Sequence, residues 1–164
     1  MFDNLDCPDV WLLAGDHPDK QSVLRARLVE AGLRPTWQRM RIGLWAFTPP
    51  SKHFTPERLA RAMSESEVTD GTPHRPIALA TIYNTLNAFA EAGMLNVFAL
   101  DTGERIFDTN TTEHYHIHLS DDDNTINTLY DVPAHLVDVD FKGNVPDGFE
   151  IADTSVMLRV RPKE

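Results

Sequence analysis

Leu79-Ala80-Thr81-Ile82-Tyr83-Asn84-Thr85-Leu86-Asn87-Ala88-Phe89-Ala90 repeats its apolar residues at helical spacing, and Gly93 ends the run. Ile82, Leu86, Phe89 and Ala90 share one side, which predicts an amphipathic helix with that side packed inward. Directly after it, Leu95 to Leu100 and Arg105 to Asp108 flank Asp101-Thr102-Gly103-Glu104. Two apolar runs around a glycine-containing turn predict a β-hairpin. A helix followed at once by a hairpin closes a winged helix-turn-helix, provided that short helices come before it.

They do. Val23, Leu24, Leu28 and Ala31 predict a helix over 22–31, with Ser22 as its cap and Gly32 as its stop. Thr36 caps a second helix, in which Trp37, Met40, Leu44 and Trp45 or Phe47 recur, and Thr48-Pro49-Pro50-Ser51 breaks it. A third has Thr55 at the cap, Pro56 at the first helical position, Glu57 in the first turn and a stripe of Leu59, Ala60 and Met63. A polar loop over 66–76 follows, with Gly71, Pro73 and Pro76. The competing reading is a small helical core with an incidental hairpin.

Beyond Asp108 the pattern changes to strands. Runs at 114–119 and 125–130 flank the acidic turn Asp121-Asp122-Asp123-Asn124; Val137, Val139 and Phe141 alternate with polar residues; Val156 to Val160 forms a last strand. A segment this short, with this little core, is expected to pair with a copy of itself. The expected fold is therefore α+β, an N-terminal winged helix-turn-helix followed by a small, strand-rich α/β dimerisation domain. Residues 1–20 read as an acidic extension, 21–106 as the winged-helix domain and 107–164 as the dimerisation and sensing domain.

Charge follows the same division. The net −10 separates into −4 over 1–20, +2 over 21–106 and −8 over 107–164. Within 21–50, Arg25, Arg27, Arg34, Arg39 and Arg41 face only Glu30. An acidic protein can bind nucleic acid when its cations gather on one face, although a solvated helix surface has the same composition. The acidic start lacks the basic region of a signal peptide and the apolar runs are too short to cross a bilayer, so no membrane association and a cytoplasmic location are expected.

His114-Tyr115-His116-Ile117-His118 sets three of the seven histidines at every second position, so a strand places them on one face. Such a cluster suits a metal or haem iron, and the alternative is a solvent-facing strand beside an acidic turn. The single cysteine, Cys7, excludes an intrachain disulfide and any structural zinc held by several thiolates of one chain.

Ala31-Gly32-Leu33-Arg34-Pro35-Thr36-Trp37-Gln38-Arg39, Ala80-Thr81-Ile82-Tyr83-Asn84-Thr85-Leu86, Ala92-Gly93, Ile106-Phe107-Asp108 and the histidine strand, in that order, resemble the ferric uptake regulator family. The resemblance implies that the helix with Thr81, Tyr83 and Asn84 enters the major groove of DNA, while Thr36 and Arg39 contact its backbone. Asn84 stands where many members carry arginine, which removes a charge and leaves an amide to read bases. The resemblance also implies a sensing site from His53, Asp108, His116 and His118, with a donor set that suits Fe²⁺, Mn²⁺ or Zn²⁺. A second metal site is not expected, because its positions look like Ile117 and Thr154 here.

The missing cysteine pairs, the three alternating histidines and Pro146-Asp147-Gly148-Phe149-Glu150-Ile151 resemble the family's iron response regulator branch of alphaproteobacteria, which senses haem. Cys7-Pro8 resembles the core of a haem regulatory motif, so Cys7, His114, His116 and His118 are the implied haem ligands. The leading expectation is an iron- and haem-responsive regulator, not an enzyme, acting as a homodimer on palindromic operators and released by haem. A sensor of divalent metal in the same family is the alternative. A metallohydrolase is the reading from another class, and no general base or substrate loop accompanies the histidines to support it.

Overall fold

The computed structural model describes residues 19–50, 52–70, 76–120, 127–161 and 163. The chain divides into two compact units, with the division after Thr111.

The N-terminal unit contains α1 (Lys20–Glu30), α2 (Trp37–Ala46), β1 (His53–Phe54), α3 (Pro56–Asp70), α4 (Leu79–Glu91), β2 (Asn96–Ala99) and β3 (Arg105–Asp108). The strands form one antiparallel sheet in the order β1-β3-β2. Four helices and a three-stranded wing make a winged helix-turn-helix. Its core takes Leu24 and Leu28 from α1, Ile42 and Ala46 from α2, Leu59 from α3, Ile82, Leu86 and Phe89 from α4, and Phe54 and Phe107 from the sheet.

Local chemistry sets the boundaries. The α1 cap is Asp19 and not Ser22: the Asp19 carboxylate accepts the Ser22 backbone N–H at 2.9 Å, and the Ser22 hydroxyl donates back to it. An ionised acceptor at the positive end of a helix outcompetes a hydroxyl, so α1 starts two residues earlier than expected. Gly32, in the left-handed region at φ +73°, ends it. Thr36 caps α2, accepting the Arg39 N–H at 3.4 Å, and Trp37 turns out 40 % exposed on the first turn, outside the buried stripe. In α3, Thr55 accepts the Arg58 N–H at 3.2 Å. That helix runs on to Asp70, because Ser64 to Asp70 holds no glycine or proline to stop it.

Gly43 brings α1 and α2 close together, since a Cβ there would lie 2.9 Å from Leu24 Cδ2. The hairpin closes as expected: Val97 faces Phe107, Ala99 faces Arg105, and Gly103 adopts φ +81° in the turn. The two-residue β1 has no counterpart in the sequence reading. It pairs His53 with Asp108 and Phe54 with Phe107.

The C-terminal unit holds β4 (His114–Ser120), β5 (Asn127–Pro133), a 3-10 turn (Ala134–Leu136) and β6 (Met157–Val160). The sheet order is β5-β4-β6, with β5 antiparallel and β6 parallel to β4. The strand expected around Val137, Val139 and Phe141 does not form, and Val139 and Phe141 are exposed. Alternation alone does not make a strand: the segment carries the period-2 pattern but pairs with neither β5 nor β6, the two outer strands of the sheet. Among the described residues no helix is long and apolar enough to cross a membrane.

Leu24→Ala, which empties a fully buried site beside Gly43, is expected to cost about 3 kcal/mol in thermal unfolding followed by circular dichroism. The bonds from Ser22 hold the Asp19 carboxyl below its ordinary value of 3.8. Its stabilisation is therefore fully present above pH 3.8 and is lost as pH falls through the lower folded-state value. Asp19→Ala should lower the melting temperature at pH 7, with the difference from wild type closing in acid.

Candidate metal centre and nucleic-acid face

The wing sheet brings His53 and Asp108 together. They are direct partners in the β1–β3 register, and His53 Nε2 lies 3.6 Å from Asp108 Oδ2. The other carboxylate oxygen accepts the Asn110 backbone N–H at 2.8 Å. Asp108 is completely buried and His53 nearly so. A carboxylate removed from water keeps its charge only where donors or cations surround it. The pair is anchored on both sides: the Lys52 N–H donates to Thr109 Oγ1 at 2.9 Å, and Asn96 Nδ2 donates to Asn110 O at 3.0 Å. Lys52 also donates to the carbonyls of Ala46, the last residue of α2, and of Thr48 and Pro50 beyond it, and burial pushes its pKa down to about 8.

The second cluster lies in the C-terminal sheet. Alternation puts His114, His116 and His118 on one face of β4, and antiparallel register sets Asp131 of β5 directly across from His116. His114 Nδ1 donates to Thr112 O at 2.8 Å, which leaves Nε2 as the ring's lone-pair nitrogen. That Nε2 is 3.0 Å from His116 Nε2 and 3.7 Å from Asp131 Oδ1. One ligand atom each from His114, His116 and Asp131 thus falls within 4.8 Å of the others, a donor set suited to a divalent ion.

His118 is outside that convergence. It shares the face, but its neighbours in register are Leu129 of β5 and Arg159 of β6. The register thus sets a basic residue across from it, where His116 has an acidic one. The adjacent histidines therefore pair as His114 with His116, where the sequence pointed to His116 with His118. Asp131 was missed altogether. Its signal is the alternation of Leu129, Asp131 and Pro133, readable only once the β4–β5 register is known. Cys7 lies outside the described residues.

The proposed reading helix, α4, buries Ile82, Leu86 and Phe89 and exposes Ala80 and Asn84. Thr81 and Tyr83 are half-buried. The Tyr83 hydroxyl donates to Glu57 Oε1 at 2.6 Å, which lowers the Glu57 pKa and raises that of Tyr83. From β3, Arg105 Nη2 donates to Asn87 Oδ1 at 3.4 Å. Thr36 is exposed at the start of α2, and Arg39 donates to Arg34 O at 3.1 Å.

Comparison with known proteins agrees with this architecture. Residues 30–155 match the model of the Ferric uptake regulator family. The chain is 35 % identical over 103 residues to the peroxide-responsive repressor PerR of Staphylococcus epidermidis, covering 62 % of this chain and 61 % of that protein. It is 30 % identical over 92 residues to the ferric uptake regulation protein of Vibrio cholerae, covering 56 % of each. The chain thus spans about three fifths of the length of these curated relatives. The manganese-containing ferric uptake regulator structure from Pseudomonas aeruginosa superposes with a TM-score of 0.60 at 22 % identity, over 87 % of this chain and 99 % of that one. With its fold and its ordered motifs in agreement, the chain belongs to the ferric uptake regulator family.

Proposed function

We propose that this protein is a DNA-binding transcription regulator that acts as a homodimer and responds to a divalent metal ion. The observation that carries the reading is the convergence of His114 Nε2, His116 Nε2 and an Asp131 oxygen on one strand pair. Two imidazoles and a carboxylate suit Fe²⁺, Mn²⁺ or Zn²⁺, and a carboxylate adds nothing to the axial ligation of haem. Haem sensing, and with it the iron response regulator branch, rests on sequence features alone: the Cys7-Pro8 pair, the absent cysteine pairs, the three alternating histidines and the stretch Pro146 to Ile151. The divalent ion is therefore the better reading.

The family resemblance makes His53 and Asp108, partners on the wing sheet, further candidate metal ligands in this proposal. The DNA-binding residues are Thr36 and Arg39 at the backbone and Thr81, Tyr83 and Asn84 at the bases. Exposed Leu158 and Val160 on β6, and exposed Leu136 in the 3-10 turn after β5, supply apolar surface for a second copy.

Calorimetric titration with Mn²⁺ tests the ligand set. Alanine at His114, His116 or Asp131 should weaken binding at least about tenfold, while His118→Ala should stay close to wild type. Loss of binding in His118→Ala, with binding retained in His114→Ala, would return the site to the other histidine pair.

Selection from a randomised duplex library tests the function. With Mn²⁺ present the protein should enrich a two-fold symmetric site; chelation should abolish the enrichment, and affinity should fall linearly on a log–log plot against salt. A response to haem and none to Mn²⁺, Fe²⁺ or Zn²⁺ would replace this reading with the haem-sensing one.

A further inference from the structure

Ala80, Tyr83, Asn84 and Asn87 occupy positions i, i+3, i+4 and i+7 of α4 and so line one side of the helix. Leu79–Glu91 contains no lysine or arginine. Phosphate attraction must come from other elements, and this face can discriminate only through hydrogen bonds and shape. Two of its four side chains are held by residues outside the helix. Glu57 takes the Tyr83 hydroxyl at 2.6 Å, and Arg105 takes the Asn87 carbonyl oxygen at 3.4 Å.

Glu57 follows Pro56 in the first turn of α3, where the helix N-terminus favours a carboxylate. Negative charge on a surface offered to phosphates weakens affinity. What it gains here is a fixed phenol. A hydroxyl has one proton and two lone pairs, so a tyrosine that donates to Glu57 can only accept from a base.

We propose that Glu57 is a positioning residue for base recognition: it takes the Tyr83 proton and leaves the phenolic oxygen as an acceptor for an exocyclic amino group, adenine N6 or cytosine N4. The inference rests on the reading of α4 as the helix that enters DNA, and it adds the residue that sets what Tyr83 can recognise. The major groove displays those amino groups as donors, so an acceptor-only tyrosine distinguishes them from guanine O6 and thymine O4.

The test is duplex selection with the full chain in Mn²⁺, comparing wild type with Glu57→Ala, Glu57→Gln and Tyr83→Phe. Glu57→Ala and Tyr83→Phe should relax the same symmetry-related positions, with roughly tenfold loss of discrimination there. Glu57→Gln keeps an oxygen that accepts from the phenol, so it should retain the motif while binding every duplex more tightly for want of the negative charge. If Glu57→Ala fails to fold, Glu57→Asp withdraws the acceptor by one methylene and reads the same positions. In a duplex carrying a base that lacks the amino group, wild type should lose about tenfold and Glu57→Ala nothing.

The proposal is overturned if Glu57→Ala keeps the wild-type motif, weakens all sequences equally, or relaxes positions that Tyr83→Phe leaves intact. A wild-type protein that enriches no duplex fails differently: it removes the DNA-binding reading, and this inference with it.

Discussion

A carboxylate with no exposure to water governs the wing of this protein. Asp108 ends β3, and its two oxygens have separate obligations, one to the Asn110 backbone and one toward His53. Removing a charge from solvent is so costly that these partners must be in place whenever the unit is folded. The short β1 is thereby held on the sheet, and the chain leaving β3 is tied back through Asn110, Thr109 and Lys52. The apolar core behind the sheet, with Phe54 and Phe107 at its edge, packs against a framework that this one group constrains.

How legible this was in the sequence depended on the range of the forces involved. α2 was readable from its Thr36 cap, its apolar stripe and the prolines beyond it, and α4 from its apolar stripe and the Gly93 stop, all signals that act within a few residues. Asp19 shows the limit of that logic: two capping residues lay three apart, and the stronger acceptor took the N–H. The extension of α3 to Asp70 was missed because polar composition was read as loop, although nothing in it breaks a helix. β1 could not be read at all. Two residues carry no periodicity, and the strand exists because Asp108 and Phe107 present an edge to it.

The same distinction explains the candidate site. Alternation identified the face of β4 with the histidines, a local property. Which two of them work together depends on the strand across the turn, and that register is set at long range. Asp131 lies opposite His116 and 3.7 Å from His114, whereas the residue in register with His118 on β6 is Arg159. The family resemblance supplied the residue types but could not choose between neighbouring pairs two residues apart.

β4 is the middle strand of its sheet, hydrogen-bonded to β5 on one side and to β6 on the other. Its backbone is fixed by the β5 ladder along its whole length and by the β6 ladder from His116 onward, so the rings of His114 and His116 project from an ordered support. An ion arriving there would find its nitrogens already spaced and would order little of the sheet. Little conformational entropy would be spent on capture, so selection among ions would rest on ionic radius and preferred coordination geometry and not on how much protein each ion can fold.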